Sequence, residues 1–192
     1  DPLYQVPTPT DSQIKIIAID EKTLTELGGT NTWTRDIPAQ LVEKLIENPE
    51  TAPAVIAFDI MYFGEQDKNA DERFAQACKK AGNVITALNV GIRPKIIQTE
   101  DGEYIVDDAH IELVEYPYKA LREVSAGGYA NTVQDVDGYI RYARTHLEHE
   151  NQYLESLEMK IYKMYCKNNS TEVKLPKTFG NNLFYFTYSG KN

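Results

Sequence analysis

The sequence predicts an α/β fold: a mainly parallel central sheet flanked by helices on a three-layer plan, with β-hairpins added. Two apolar runs carry that prediction. One is Ile14-Lys15-Ile16-Ile17-Ala18-Ile19, closed by Asp20; the other is Val55-Ile56-Ala57-Phe58-Asp59-Ile60-Met61-Tyr62-Phe63, bounded by Pro53 and Gly64. Continuous apolar runs of this length between turn residues read as strands buried on both faces, and helical periodicity separates the two. A third run at 84–90 follows a further amphipathic stretch, giving the order βαβαβ, which buries a parallel sheet between helices.

Residues 1–13, with Pro2, Pro7 and Pro9 among Thr, Ser and Gln, read as an extended lead-in. After the strand at 14–19, Asp20 is placed to N-cap a short helix through Thr23, Leu24 and Leu27, which Gly28-Gly29 would end. A polar loop then carries Trp33, the only tryptophan, and Arg35. Asp36 caps a second helix, with Pro38 in its tolerant first turn and Leu41, Val42, Leu45 and Ile46 as its apolar stripe. This leads into the strand at 55–63, and such a β-α-β unit is expected to cross over right-handed. The helix predicted over 71–81 presents Phe74, Ala77, Cys78 and Ala81 on one side and stops at Gly82-Asn83.

The alternation breaks at 91–110. Here Ile96-Ile97-Gln98-Thr99 and Tyr104-Ile105-Val106 flank Glu100-Asp101-Gly102-Glu103, and Asp-Gly between strand-like segments signals an inserted hairpin. A helical turn follows Tyr116-Pro117. Segments 127–133 and 139–144 bracket Gln134-Asp135-Val136-Asp137-Gly138 and read as a second hairpin. An amphipathic helix over 152–166 and an aromatic strand over 183–188 complete one domain spanning 14–192.

Composition narrows the function. A net charge of -9 over 192 residues, with no cluster of Lys and Arg, argues against nucleic acid and anionic membrane surfaces, whose binding rests on clustered cations. No apolar segment reaches the roughly 18 residues that span a bilayer. Cys78, on an apolar helix face, reads as a small buried hydrophobe. No Cys/His cluster with ligand spacing surrounds it or Cys166, so neither a metal site nor a cofactor is expected. Aligning Asp135-Val136-Asp137-Gly138 with a calcium loop puts Val133 and Arg144 at ligand positions, so that reading fails and a tight turn remains.

The residues that invite chemistry are Asp20, Asp59, Asp67 and Asp71, which the predicted topology gathers at the carboxyl edge of the sheet, where open α/β sheets place their sites. Paired carboxylates there could perform acid–base work or hold a hard cation; the favoured alternative is that they cap helices and pair with Arg35. No nucleophile, phosphate-cradling glycine loop or dinucleotide fingerprint accompanies them, so no catalytic residue is assigned. Trp33 and Arg35 are the most suggestive pair. A guanidinium reaching Asp59 would neutralise it, and the indole would either shield that pair or stack on a ligand.

The series IIAID, a helix and glycine, W-x-R, a second helix and VIAFDIMYF resembles the CHASE-type extracellular sensor family, type two. The resemblance continues through DERFAQACKKAGNVITAL, through GGYANTVQDVDGYIRYA with its Asp-x-Asp-Gly-x-x-Arg turn, and to FYFTYSG. It implies a non-enzymatic, ligand-sensing ectodomain on the extracytoplasmic face of a bacterial membrane. The flanking transmembrane segments, absent from this chain, would join it to a cytoplasmic module such as a nucleotide cyclase or histidine kinase. Residues 1–13 would then be juxtamembrane, and the domain would be truncated before a further Gly-Lys strand. The implied partner is a small molecule held by Trp33, Arg35, Asp59, Asp20 and Asn131, with Asp59 ion-paired to Arg35, and a homodimer in the full receptor is compatible with this. The alternatives are a carboxylate-based, metal-dependent hydrolase and a ligand-free dimerisation or spacer module.

Overall fold

The computed structural model of the chain describes residues 5–6, 13–135, 137–186 and 188–189. In chain order the elements are β1 (Gln5–Val6), α1 (Glu21–Leu27), α2 (Asp36–Leu45), β2 (Ile56–Phe58), α3 (Lys68–Ala81), β3 (Val84–Ile92), β4 (Lys95–Gln98), β5 (Tyr104–Asp107) and β6 (Ile111–Glu115). There follow α4 (Lys119–Arg122), β7 (Ala126–Tyr129), β8 (Tyr142–Arg144), β9 (His146–His149), β10 (Gln152–Glu155), α5 (Leu157–Asn168), β11 (Leu183–Tyr185) and β12 (Tyr188–Ser189).

β3 organises the sheet. β2 and β7 pair with it in parallel and β6 pairs antiparallel, so the fold is α/β with a mixed central sheet. The apolar face of α3 explains how this sheet is covered. Phe74, Ala77 and Cys78 pack with Ala39 and Val42 of α2, Ile56 and Phe58 of β2, Val84 of β3, and Tyr118 and Leu121 at α4. Phe74 meets Phe58 and Tyr62 edge-to-face, with ring centroids 5.4 and 5.0 Å away, a geometry that aromatic quadrupoles favour. Burial pushes the Cys78 thiol up to about 12, leaving it a neutral, inert packing group. A second cluster forms around Leu88, Val90, Ile111, Tyr129 and Leu147.

The helix ends follow ordinary chemistry. Asp67 caps α3 by accepting from the Ala70 amide at 2.9 Å, and Gly82 closes it in the left-handed conformation. Ser156 caps α5 through the Met159 amide. The predicted helix over 152–166 therefore starts five residues late, because 152–155 form β10 against β9.

At Gly128 an added Cβ would lie 2.6 Å from Leu157 Cα, so β7 and the start of α5 approach too closely for a side chain. Gly128→Ala is expected to lower stability by about 1–3 kcal/mol, the cost of overpacking a close contact. Urea denaturation measures it, and an unchanged midpoint would show that α5 shifts freely.

Three predicted elements change. No strand forms over 14–19: residues 14–20 are irregular, and among the described residues no strand pairs with them. Their apolar pattern suits a strand, but a strand needs a ladder partner as well as a pattern. The run at 55–63 shortens to the three residues of β2 and is covered on one face only, with Ala57 exposed between buried Ile56 and Phe58. The second predicted hairpin is replaced. Residues 126–129 leave it to pair with β3, while β8 pairs with β11 and only the bridge Val133–Tyr142 remains. The inserted hairpin forms as β4–β5, and β11 and β12 occupy most of the aromatic stretch, with Thr187 outside the described residues.

Asp135 to Gly138 do make a tight turn, with Gly138 at φ 82° and its amide donating to the Asp135 carbonyl at 2.8 Å; Val136 lies outside the described residues. Arg141 reaches both acids, at 3.0 Å to Asp135 and 2.7 Å to Asp137. The Arg141 hydrogen bonds hold the Asp137 carboxyl down at about 2, against an ordinary 3.8. Because the folded value is the lower one, this interaction stabilises fully above the ordinary value and is lost as pH falls through about 2. An NMR titration should give that low midpoint, and Arg141→Gln should return it to the ordinary carboxylate range.

Candidate functional site

β2 is the edge strand of its sheet. The Ile56 amide donates to the Asn83 carbonyl at 3.0 Å, so in this parallel ladder Ile56 and Phe58 direct their backbone groups at β3. Those of Val55, Ala57 and Asp59 point the other way, and among the described residues no strand pairs with that edge.

An open groove of about 1060 Å³ runs along it. It is lined by residues 55–63, by Ile37, Pro38, Leu41 and Leu45 of α2, and by Lys15 to Ile19. The volume matches the upper end of small-molecule clefts, and the walls are mainly apolar. Trp33, Arg35 and Asp59 all line it.

Each of these has its own local reason to be there. Trp33 follows a single 3-10 turn (Thr30–Thr32), and its indole N–H donates to the Leu27 and Gly28 carbonyls at 3.1 and 2.9 Å. It thereby satisfies carbonyls that the end of α1 leaves open. Asp59 lies just beyond β2, exposed, and among the described residues its carboxylate has no hydrogen-bond or ion-pair partner.

Arg35 is 3% exposed, and the ion pair expected with Asp59 is made with Asp71 instead, Nη1 to Oδ1 at 2.6 Å. Its Nη2 donates to the Phe63 and Gly64 carbonyls at 3.0 and 2.6 Å. The guanidinium sits 4.0 Å from the Tyr118 ring centroid, and the Tyr118 hydroxyl donates to the Asp71 carbonyl at 2.8 Å. The other Asp71 oxygen accepts from the Gln66 amide at 2.9 Å. Desolvation raises the Tyr62 and Tyr118 hydroxyls above the ordinary phenol value, so both stay neutral. Among the described residues the Arg35 Nε–H has no acceptor. A buried donor left open on a groove-lining residue is costly unless something accepts from it.

The other two candidates sit elsewhere. Asp20 caps α1, accepting from the Thr23 amide at 2.9 Å and its hydroxyl at 2.7 Å, and these hydrogen bonds lower its pKa. Asn131 lies beyond β7, where its carboxamide accepts from the Val90 amide at 3.1 Å and donates to the Val90 carbonyl at 2.8 Å. It extends the β7 ladder by side chain where the backbone departs.

With Asp20 and Asp67 capping helices and Asp71 paired, the four aspartates do not converge as a carboxylate pair. Among the described residues, no group of three or more His, Cys, Asp or Glu is placed to hold a metal ion. Asp71 was legible as a buried acid: Asp71, Phe74 and Cys78 share one helix face by their spacing. Tyr118 carried no comparable signal.

The family model described as CHASE2 domain matches residues 1–191. No curated protein and no solved structure gives a significant match.

Proposed function

Since the chain belongs to the CHASE2 family of extracellular sensory domains, we propose that it is the ligand-recognition domain of a bacterial transmembrane signalling receptor. It lies on the extracytoplasmic face and passes a binding signal to a cytoplasmic output module such as a nucleotide cyclase or histidine kinase. Among the described residues no helix is long and apolar enough to cross a membrane, so the membrane segments of such a receptor would flank this domain.

The observation that carries the reading is the groove beside β2. It offers apolar walls for a small ligand's body and, for its polar groups, the exposed carboxylate of Asp59, which has no partner among the described residues. A ligand signals only if it binds one arrangement of the domain better than another, and groove walls from three separate segments give it arrangements to choose between.

Asp59 supplies a clean test, since it is exposed and unpaired and its replacement leaves the fold intact. A metabolite library is screened by thermal shift against the wild type and Asp59→Asn. A ligand at about 100 times its Kd adds about 2.7 kcal/mol, a rise of roughly 5–11 °C for a domain of this size. The proposal expects at least one such ligand, weakened about tenfold or more by Asp59→Asn, the loss of a charged hydrogen bond. Ligands that stabilise both proteins equally would place recognition elsewhere.

A further inference from the structure

Residues 14–19 are the most exposed apolar stretch beside the groove, with Ile14 71%, Ile16 88%, Ile17 60% and Ile19 40% accessible. Among the described residues their backbone makes no hydrogen bond. The stretch is held at both ends. Gln13 accepts from the Tyr165 hydroxyl of α5 at 2.6 Å, and Asp20 is fixed as the cap of α1. Between those anchors the strap lines the same groove as the β2 segment, whose outer edge is unpaired among the described residues.

Two incomplete structures therefore line one groove. Among the described residues the strap has a strand's apolar pattern and no ladder, and β2 has outward backbone groups at Val55, Ala57 and Asp59 and no strand paired with them. An unpaired edge is a template for strand addition, and an apolar run with unpaired amides is the segment that answers it. The direction is set by the chain: α1 and α2 lie between the strap and β2, and a connection of that length suits parallel strands.

We propose that residues 14–19 are a strap that closes on the free edge of β2 as a parallel strand, filling the groove, so that strap and ligand compete for one site. Closing turns alternate side chains of the strap onto the α2 wall and pairs its inward backbone groups with the free edge of β2. A ligand that occupies the groove holds the strap off and displaces the segment that leads into the domain. As regulation, this rests on the reading of the groove as a ligand site; the pairing of strap and edge is testable without any ligand.

The experiment is hydrogen exchange on the ligand-free wild type and on Ile17→Pro, with anilinonaphthalene sulfonate as the groove probe. Ile17 lies outside both buried clusters, so the variant keeps its core. The expected result is protection of alternate amides within 15–19, those turned toward β2, and of Ala57 and Asp59, by roughly tenfold or more over free chain. In Ile17→Pro both groups lose that protection together while β3 keeps its own, and dye emission rises. Free-chain exchange of 15–19 in the wild type overturns closure. So does protection of Ala57 and Asp59 that survives Ile17→Pro, because the edge is then paired with something else. If exchange shows closure but the dye does not distinguish the two proteins, the strap stands and the groove as an apolar ligand site falls.

Discussion

Arg35→Ala is expected to lower the unfolding free energy by about 3–5 kcal/mol, the cost of leaving a buried charge without its partner. For a domain of this size that is a fall in melting temperature of roughly 6–20 °C. The cause is the position of the pair: the side chains of Arg35 and Asp71 are 4% and 7% exposed, and Arg35 also holds the carbonyls of Phe63 and Gly64. One side chain thus ties the start of α2, the loop after β2 and the first turn of α3. Removing both charges together should cost far less than the two single changes summed. Replacing a buried pair by apolar residues of similar volume removes the desolvation cost along with the attraction. Chemical denaturation of Arg35→Met, Asp71→Leu and the double variant measures the coupling. Strict additivity would mean that the two residues act independently.

Phe74→Ala is expected to cost about as much, 3–5 kcal/mol, by a different route. The ring is fully buried between Phe58 and Tyr62, so truncation loses its transfer energy and leaves a cavity among residues fixed on α2, α3 and β2. Phe74→Leu, which keeps much of the volume, should lose less than half of that. A loss below about 1 kcal/mol for Phe74→Ala would show that this cluster collapses readily.

The helices and the inserted hairpin could be read before folding because their signals are local. The cap at Asp20, the stripe on α3 and Asp101-Gly102 between two strand-like segments each act within a few residues, whereas the Asp67 cap, which starts α3 three residues ahead of the expected 71, was not read as that start. Partner choice was less legible. Residues 126–129 sit next in sequence to a turn, yet they pair with β3, about forty residues upstream, because Gly127 and Gly128 allow close approach to Leu88 and Leu157. The strand at 14–19 was expected from its pattern alone, and the free edge of β2 is where that expectation and the structure part.

The candidate site was half legible. Trp33, Arg35 and Asp59 were marked by residue type, and all three line the groove. Their mutual arrangement was not, because Asp71 competes for Arg35 from a helix whose buried face must itself be neutralised. Asn131 looked like a ligand group but serves the backbone of Val90, a role no spacing announces.

Trp33, the only tryptophan, lines the groove beside β2 proposed as the sensing site and reports on it directly. The most direct measurement is Trp33 emission during titration with a ligand that raises the melting temperature. Binding in the groove is expected to give a saturable change in that emission, with the midpoint of the thermal stabilisation. Stabilisation that saturates while Trp33 emission stays constant would contradict it.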